Sequence, residues 1–279
     1  MSYTLGLLGY PLGHSLSPVI HTAALKACGL HGTYSLFPIP PEHPQELLAL
    51  LARLRAGELH GLNVTIPHKQ TVLPLLDALT ETAQAIGAVN TIFVRQGHLI
   101  GDNTDAPGFL ADVTRFLQPL QMLAAKSALV LGAGGSARAV VYALCQAGWQ
   151  VAVSTRRLEQ AQGLADSLKT AHNQIEILPL DALHTWTGTL LVNTTPLGMT
   201  PHLETSPWPE GVALPKGVAV YDLVYNPPET RFVREARAAG SPATSGLGML
   251  IEQAALAFEI WTGHSPARAL LSQALSHSA

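Results

Sequence analysis

The chain has 279 residues, 47% of them hydrophobic and only 13% charged, with a net charge of −3. That length suits one large domain or two ordinary ones, and the composition is far from that of a disordered chain. The weakly acidic balance supplies no basic field for nucleic acid. The two cysteines, Cys28 and Cys145, make neither a disulfide framework nor a zinc site, and no run reaches the roughly 18 apolar residues of a membrane span. The opening MSYTLGLLGYPLGHS lacks the basic start and long apolar core of a signal peptide. The expectation is a cytoplasmic monomer or homodimer whose partner is a small molecule, with no metal.

Strand-like and helical runs alternate from the start. TLGLLG (4–9) reads as a strand, and Ser17 as the cap of a helix that carries Pro18 at its first position and runs to about Gly29. TYSLFPI (33–39) is a second strand. The leucines at 47, 48, 51 and 54 give residues 41–57 the spacing of one helix face. A third strand is expected over 59–67, and two more, 88–97 and 98–103, joined by a turn. A second unit begins near residue 105. It holds strand, glycine turn and helix over 126–148, a strand over 149–155, a helix over RRLEQAQGLADSLK (156–169), an extended stretch over 175–180, and short buried strands over 189–196 and 218–225. Nearly all-apolar strands in βαβαβ order imply a parallel sheet covered on both faces. After residue 240 the chain turns helical again.

Residues 132–137, GAGGSA, follow a buried strand and open a helix, which is the context that a dinucleotide-binding glycine pattern requires. Gly132 permits the tight turn, Gly134 lets backbone approach a pyrophosphate, and Ala137 keeps helix close to sheet. The helix N-terminus, Gly135 and Ser136 included, offers N–H groups to the anion. At the end of the next strand stand Ser154, Thr155, Arg156 and Arg157, with no carboxylate before Glu159. Two guanidiniums there suit a 2′-phosphate, and so NADP rather than NAD.

The first unit carries a different set of polar groups. Ser15 and Ser17 sit beside a helix N-terminus, where two hydroxyls can hold a carboxylate. In NVTIPHK (63–69), Asn63 and Thr65 lie two apart, Pro67 stops the strand, and Lys69 follows. Asn90 stands at the start of another strand, and Asp105 ends GDNTD. Neutral donors and acceptors near strand ends suit a polyhydroxylated small molecule. A Lys–Asp pair adds a proton carrier, because hydride transfer to a ketone leaves an alkoxide that must be protonated.

These blocks together resemble one family, the shikimate dehydrogenases: GYPLGHSLSP (9–18), GLNVTIPHK (61–69), GAVNT (87–91), GDNTD (101–105), LGAGGSARA (131–139), NTTPLGM (193–199), YDLVYNP (221–227) and GLGMLIEQAALAFEIWTG (246–263). The resemblance implies an α/β fold with a substrate-binding catalytic domain over 1–104, completed by helices in 240–279, and a Rossmann-type NADP-binding domain over 105–239. It implies reversible NADPH-dependent reduction of 3-dehydroshikimate to shikimate, on the route to chorismate and the aromatic amino acids. Position by position, Lys69 and Asp105 match the catalytic pair. Ser15, Ser17, Asn63, Thr65, Asn90 and Gln253 match substrate contacts, with Tyr225 placed beside them. Gly132, Ala133, Gly134, Gly135, Ser136 and Ala137 match the phosphate loop, and Thr194, Leu223, Gly246 and Met249 fall in blocks lining the nicotinamide. One departure stands out. The family usually has Asn-Arg-Thr after the second Rossmann strand, where this chain has Ser154-Thr155-Arg156. The alternative reading is a quinate/shikimate dehydrogenase using NAD.

Overall fold

The computed structural model describes residues 2–168 and 174–276, so Lys169 of the helix expected over 156–169, Met1 and residues 277–279 lie outside the described residues. The chain divides into two compact units, one comprising Met1–Gly108 and Ile251–Ala279, the other Phe109–Leu250. Among the described residues, no helix is long and apolar enough to cross a membrane.

In the first unit, β1 (Ser2–Gly9) leads through α1 (Ser17–Ala27) to β2 (His31–Pro38), α2 (Pro44–Arg55) and β3 (Gly61–Val64). The one-turn α3 (His68–Thr71), β4 (Ala78–Leu79), α4 (Glu81–Ile86), β5 (Thr91–Arg95), β6 (His98–Asp102) and α5 (Asp105–Leu117) follow. Among the described residues the strands form a six-stranded mixed sheet in the order β2-β1-β3-β5-β6-β4. β1 is parallel to β2 and β3, whereas β5 is antiparallel to β3 and β6. The β5–β6 turn places Gln96 and Gly97 at positive φ, the backbone twist that suits a two-residue hairpin.

The stripe that α2 buries is Leu47, Leu50, Leu51 and Leu54, and these pack with Leu8, Leu59, Leu62 and Ile92. Leu48, expected in that stripe, faces solvent: the 3.6-residue period brings Leu50 round to the core instead. The strand expected over 59–67 is shorter than its pattern. β3 ends at Val64, because the next residues turn so that the His68 N–H reaches the Thr65 carbonyl.

In the second unit β7 (Ser127–Leu131), α6 (Gly135–Gln146), β8 (Gln150–Ser154), α7 (Leu158–Leu168) and β9 (Ile175–Ile177) precede β10 (Leu190–Asn193), β11 (Ala219–Asp222), α8 (Arg231–Ala238), β12 (Ala243–Ser245) and the start of α9 (Leu247–Thr262). Every strand pair here is parallel. Read from β9, the order is β9-β8-β7-β10-β11-β12. That is the doubly wound Rossmann arrangement, and its order reverses between β7 and β10, where such sheets bind ligands at the carboxyl ends of their strands. Leu129, Leu131, Leu191, Val220 and Phe232 share its core.

The last residues return to the first unit, as the resemblance implies. Trp261 of α9 donates its indole N–H to the Ile92 carbonyl at 3.1 Å. Only glycine fits at 61, since a Cβ there would lie 2.4 Å from the same indole. α10 (Arg268–Ser276) packs on α1.

Candidate active site

The structure brings Lys69 and Asp105 together. Lys69 rides on α3, which is anchored on both sides. The His68 ring donates through Nε2 to the Ile39 carbonyl at 2.6 Å, and the Lys69 carbonyl accepts from the Val89 N–H at 2.8 Å. Asp105 opens α5, where the helix N-terminus favours a carboxylate. Lys69 Nζ donates to Asp105 Oδ2 at 2.6 Å, and the two side chains are only 13% and 7% exposed. The pair is largely shielded from water, and removing either partner would leave the other group without its counter-charge.

Asn90 ties the pair to its surroundings. Its Nδ2 donates to Asp105 Oδ1 and Thr104 Oγ1, both at 2.9 Å, and reaches Gln253 Oε1 at 3.3 Å. Its Oδ1 accepts from the Thr104 N–H at 2.7 Å and from Thr91 Oγ1 at 3.1 Å. A backbone N–H only donates, so the amide orientation is fixed. Asn63 continues the chain of bonds: Nδ2 donates to the Asn90 carbonyl at 3.2 Å, while Oδ1 accepts from the Tyr34 hydroxyl at 2.8 Å. Under Tyr34 lies His21, wholly buried and stacked on the phenol at 4.3 Å. Burial lowers its pKa to about 3, so the imidazole is neutral.

Asn63, Asn90, Lys69, Asp105 and Gln253 thus belong to one hydrogen-bonded assembly. Ser15, Ser17 and Thr65 have no hydrogen bond to it. Ser17 is not the cap of α1. Leu16 already has helical φ and ψ, so Ser17 lies in the first turn, and the Ser17 N–H donates to Ser15 Oγ at 3.3 Å. Sequence reasoning gave no role to Tyr34, His21, Thr91 or Thr104. Thr91 and Thr104 lie inside quoted blocks, beside Asn90 and Asp105. Tyr34 is the buried residue of an otherwise exposed edge strand, which its alternation could have flagged.

In the second unit, Gly132 has φ +114°, and a Cβ there would sit 2.5 Å from Thr194 Oγ1. That hydroxyl donates to the Leu131 carbonyl at 2.7 Å, while the Gly132 N–H donates to the Ser154 carbonyl at 2.8 Å. Glycine is required by both backbone angle and space. Gly134 precedes α6 with no side-chain cap, and a Cβ at Gly134 would meet nothing within 4 Å. The first turn of α6, beginning at Gly135 and Ser136 beside the half-buried Ala133, is thus open to an anion, and Ala137 is packed tightly beneath it. Among the described residues the buried Ser154 hydroxyl has no hydrogen-bond partner, and the exposed Arg156 and Arg157 form no ion pair; Thr155 is half-buried. These residues fit a dinucleotide phosphate group. Leu223 and Gly246 touch closely, since a Cβ on Gly246 would meet the Leu223 carbonyl at 2.4 Å. Met249 is buried, and burial pushes the Tyr225 phenol up.

Sheet order, glycine loop and Lys–Asp pair define an α/β oxidoreductase of the nicotinamide-dinucleotide class. Residues 7–92 match the shikimate dehydrogenase substrate binding domain, residues 116–190 the shikimate / quinate 5-dehydrogenase family, and residues 246–275 the shikimate 5′-dehydrogenase C-terminal domain. The shikimate dehydrogenase (NADP(+)) of Shouchella clausii is 42% identical over 271 residues, 96% of each chain. The crystal structure of Thermus thermophilus shikimate 5-dehydrogenase with NADP(H) and shikimate superposes with a TM-score of 0.86 at 40% identity, covering 99% of this chain and 100% of that one. Quinate dehydrogenase from Corynebacterium glutamicum in complex with NAD gives 0.86 at 35% identity, covering 99% of each. The chain belongs to the shikimate dehydrogenase family.

Proposed function

We propose that the chain catalyses the reversible NADP-dependent interconversion of 3-dehydroshikimate and shikimate, in the cytoplasm, as a step towards the aromatic amino acids. The observation that carries this reading is the buried Lys69–Asp105 pair, locked by Asn90. NADPH, when bound, supplies the hydride. Lys69 Nζ gives the proton that turns the reduced carbonyl oxygen into a hydroxyl, and takes it back in the oxidation direction. Asp105 holds Nζ in place and accepts from a substrate hydroxyl. Ser15 and Ser17 bind the carboxylate, and Asn63, Thr65, Asn90, Tyr225 and Gln253 bind the ring substituents.

For the cofactor, residues 132–137 hold the pyrophosphate, and Arg156 and Arg157 hold the 2′-phosphate beside Ser154 and Thr155. Thr194, Leu223, Gly246 and Met249 line the nicotinamide. The reading requires no macromolecular partner, so a monomer or a homodimer serves it. A second reading, quinate oxidation with NAD, draws on the likeness to the Corynebacterium glutamicum enzyme and on the departure at Ser154-Thr155-Arg156.

Lys69→Ala tests the reading. Loss of a proton carrier is expected to lower kcat by about 10²–10⁴, with a smaller change in KM. A variant within about threefold of wild-type kcat would remove Lys69 from the reaction.

A further inference from the structure

Asp222 ends β11 and is wholly buried, yet no cation among the described residues pairs with it. Three neutral donors from three segments converge on its carboxylate instead. Asn193 Nδ2, at the end of β10, lies 2.7 Å from Oδ1, and the Val224 N–H lies 3.1 Å from the same oxygen. Thr230 Oγ1 donates to Oδ2 at 2.6 Å.

Two of the donors have a second task. Asn193 Oδ1 accepts from the Thr195 N–H at 2.9 Å and from Thr195 Oγ1 at 2.7 Å, which sets the turn after β10. Val224 lies between Leu223 and Tyr225. Thr230 Oγ1 caps α8, accepting from the Val233 N–H at 3.2 Å.

A carboxylate is the one short side chain that presents only acceptors, so it satisfies all three donors at once, whereas an amide would turn an N–H toward one of them. Burying it uncompensated is costly, and burial raises its pKa to about 6 despite the donors. The segments it joins stand at the carboxyl edge of the sheet. Thr194, next to Asn193, abuts Gly132 of the glycine loop.

We propose that Asp222 is a positioning residue for the nicotinamide dinucleotide, holding the loops after β10 and β11 in the arrangement that receives it. The inference rests on the cofactor reading above, and it assigns the binding geometry to a residue that does not touch the ligand.

The test is NADPH fluorescence titration without substrate, on wild type, Asp222→Asn, Asn193→Ala, the double variant and Leu183→Ala, with thermal unfolding and the KM for shikimate measured alongside. Asp222→Asn and Asn193→Ala are each expected to raise the NADPH Kd about tenfold, a typical cost of leaving one buried donor unmet. The double variant should be no worse than about twofold beyond the stronger single, because both act through one network. The KM for shikimate should move less than about twofold, and Leu183→Ala, at a buried core position of the second unit outside the network, should lower the melting temperature while sparing the Kd. Folded Asp222→Asn with wild-type Kd would overturn the inference. So would a Leu183→Ala effect on Kd equal to that of Asp222→Asn, because loosening would then be general. Wild-type protein that binds no NADPH would overturn the cofactor reading and the inference together.

Discussion

Each unit buries one polar network around an aspartate, and the two are built differently. Asp105 in the first unit has a cation, Lys69, at 2.6 Å and the Asn90 amide on its other oxygen. Asp222 in the second unit has three neutral donors and, among the described residues, no cation. The first arrangement keeps two opposite charges ready and close, which suits a site where a proton must move. The second fixes chain segments through a group with no mobile partner, which suits a site where a ligand must only be held. The same residue type therefore takes its task from what faces it.

Breaking the pair should have the largest effect. Asp105→Asn keeps the shape but strands Lys69 as a half-buried cation, at a cost on the order of 3 kcal/mol of stability. Both kcat and the affinity for shikimate should fall with it. Asp222→Asn strands no charge and should cost nearer ~1 kcal/mol. Denaturant unfolding of both variants checks the contrast, which fails if the two lose equal stability.

The second unit's exposed charges sharpen the comparison. Arg156→Ala/Arg157→Ala should lower the NADP⁺/NAD⁺ ratio of kcat/KM by about 10–10³, with the KM for shikimate little changed. Added salt should weaken NADP⁺ more than NAD⁺ in wild type, because exposed charges are screened. An unchanged ratio would assign the 2′-phosphate to other groups.

The pH dependence of stability sharpens the comparison further, because two buried groups act on it with opposite sign. His21 is held neutral, its pKa lowered to about 3 from 6.5, so below 6.5 the unfolded chain binds a proton that the native chain refuses. Its contribution to stability falls with pH across that window, by at most about 1.4 kcal/mol per unit. The Asp222 pKa is raised to about 6 from 3.8, so between those values the native chain binds a proton that the unfolded chain does not. Stability there rises as pH falls. His21→Phe should flatten the acid loss, and Asp222→Asn should steepen it. Unfolding free energies from about pH 7 to 4.5 test both slopes, and parallel curves for the two variants would contradict the account.

Much of this was legible in the residues because its signals are local. A glycine turn between a buried strand and a helix states its context within a few positions. A proline that stops a strand just before Lys69 marks a strand end. Other features are set by partners distant in the chain. Leu48 and Leu50 flank the α2 stripe on opposite sides, and only the packing against β-sheet residues decides which of them is buried. Ser15 rather than Ser17 serves the start of α1 because Leu16 already turns helically. The Asn90 assembly gathers residues from 63 to 253, and its geometry depends on an antiparallel β3–β5 pairing that no periodicity encodes. Nothing in YDLVYNP marks Asp222, because a buried carboxylate with neutral partners looks like any strand-end acid until its donors are seen.

The most direct test of the central claim is a set of initial rates with wild-type protein: shikimate and quinate, each with NADP⁺ and NAD⁺. The account expects kcat/KM for shikimate with NADP⁺ to exceed every other combination by at least about tenfold, the worth of one charged hydrogen bond to the 2′-phosphate or one matched substrate group. Faster turnover of quinate with NAD⁺ would contradict it.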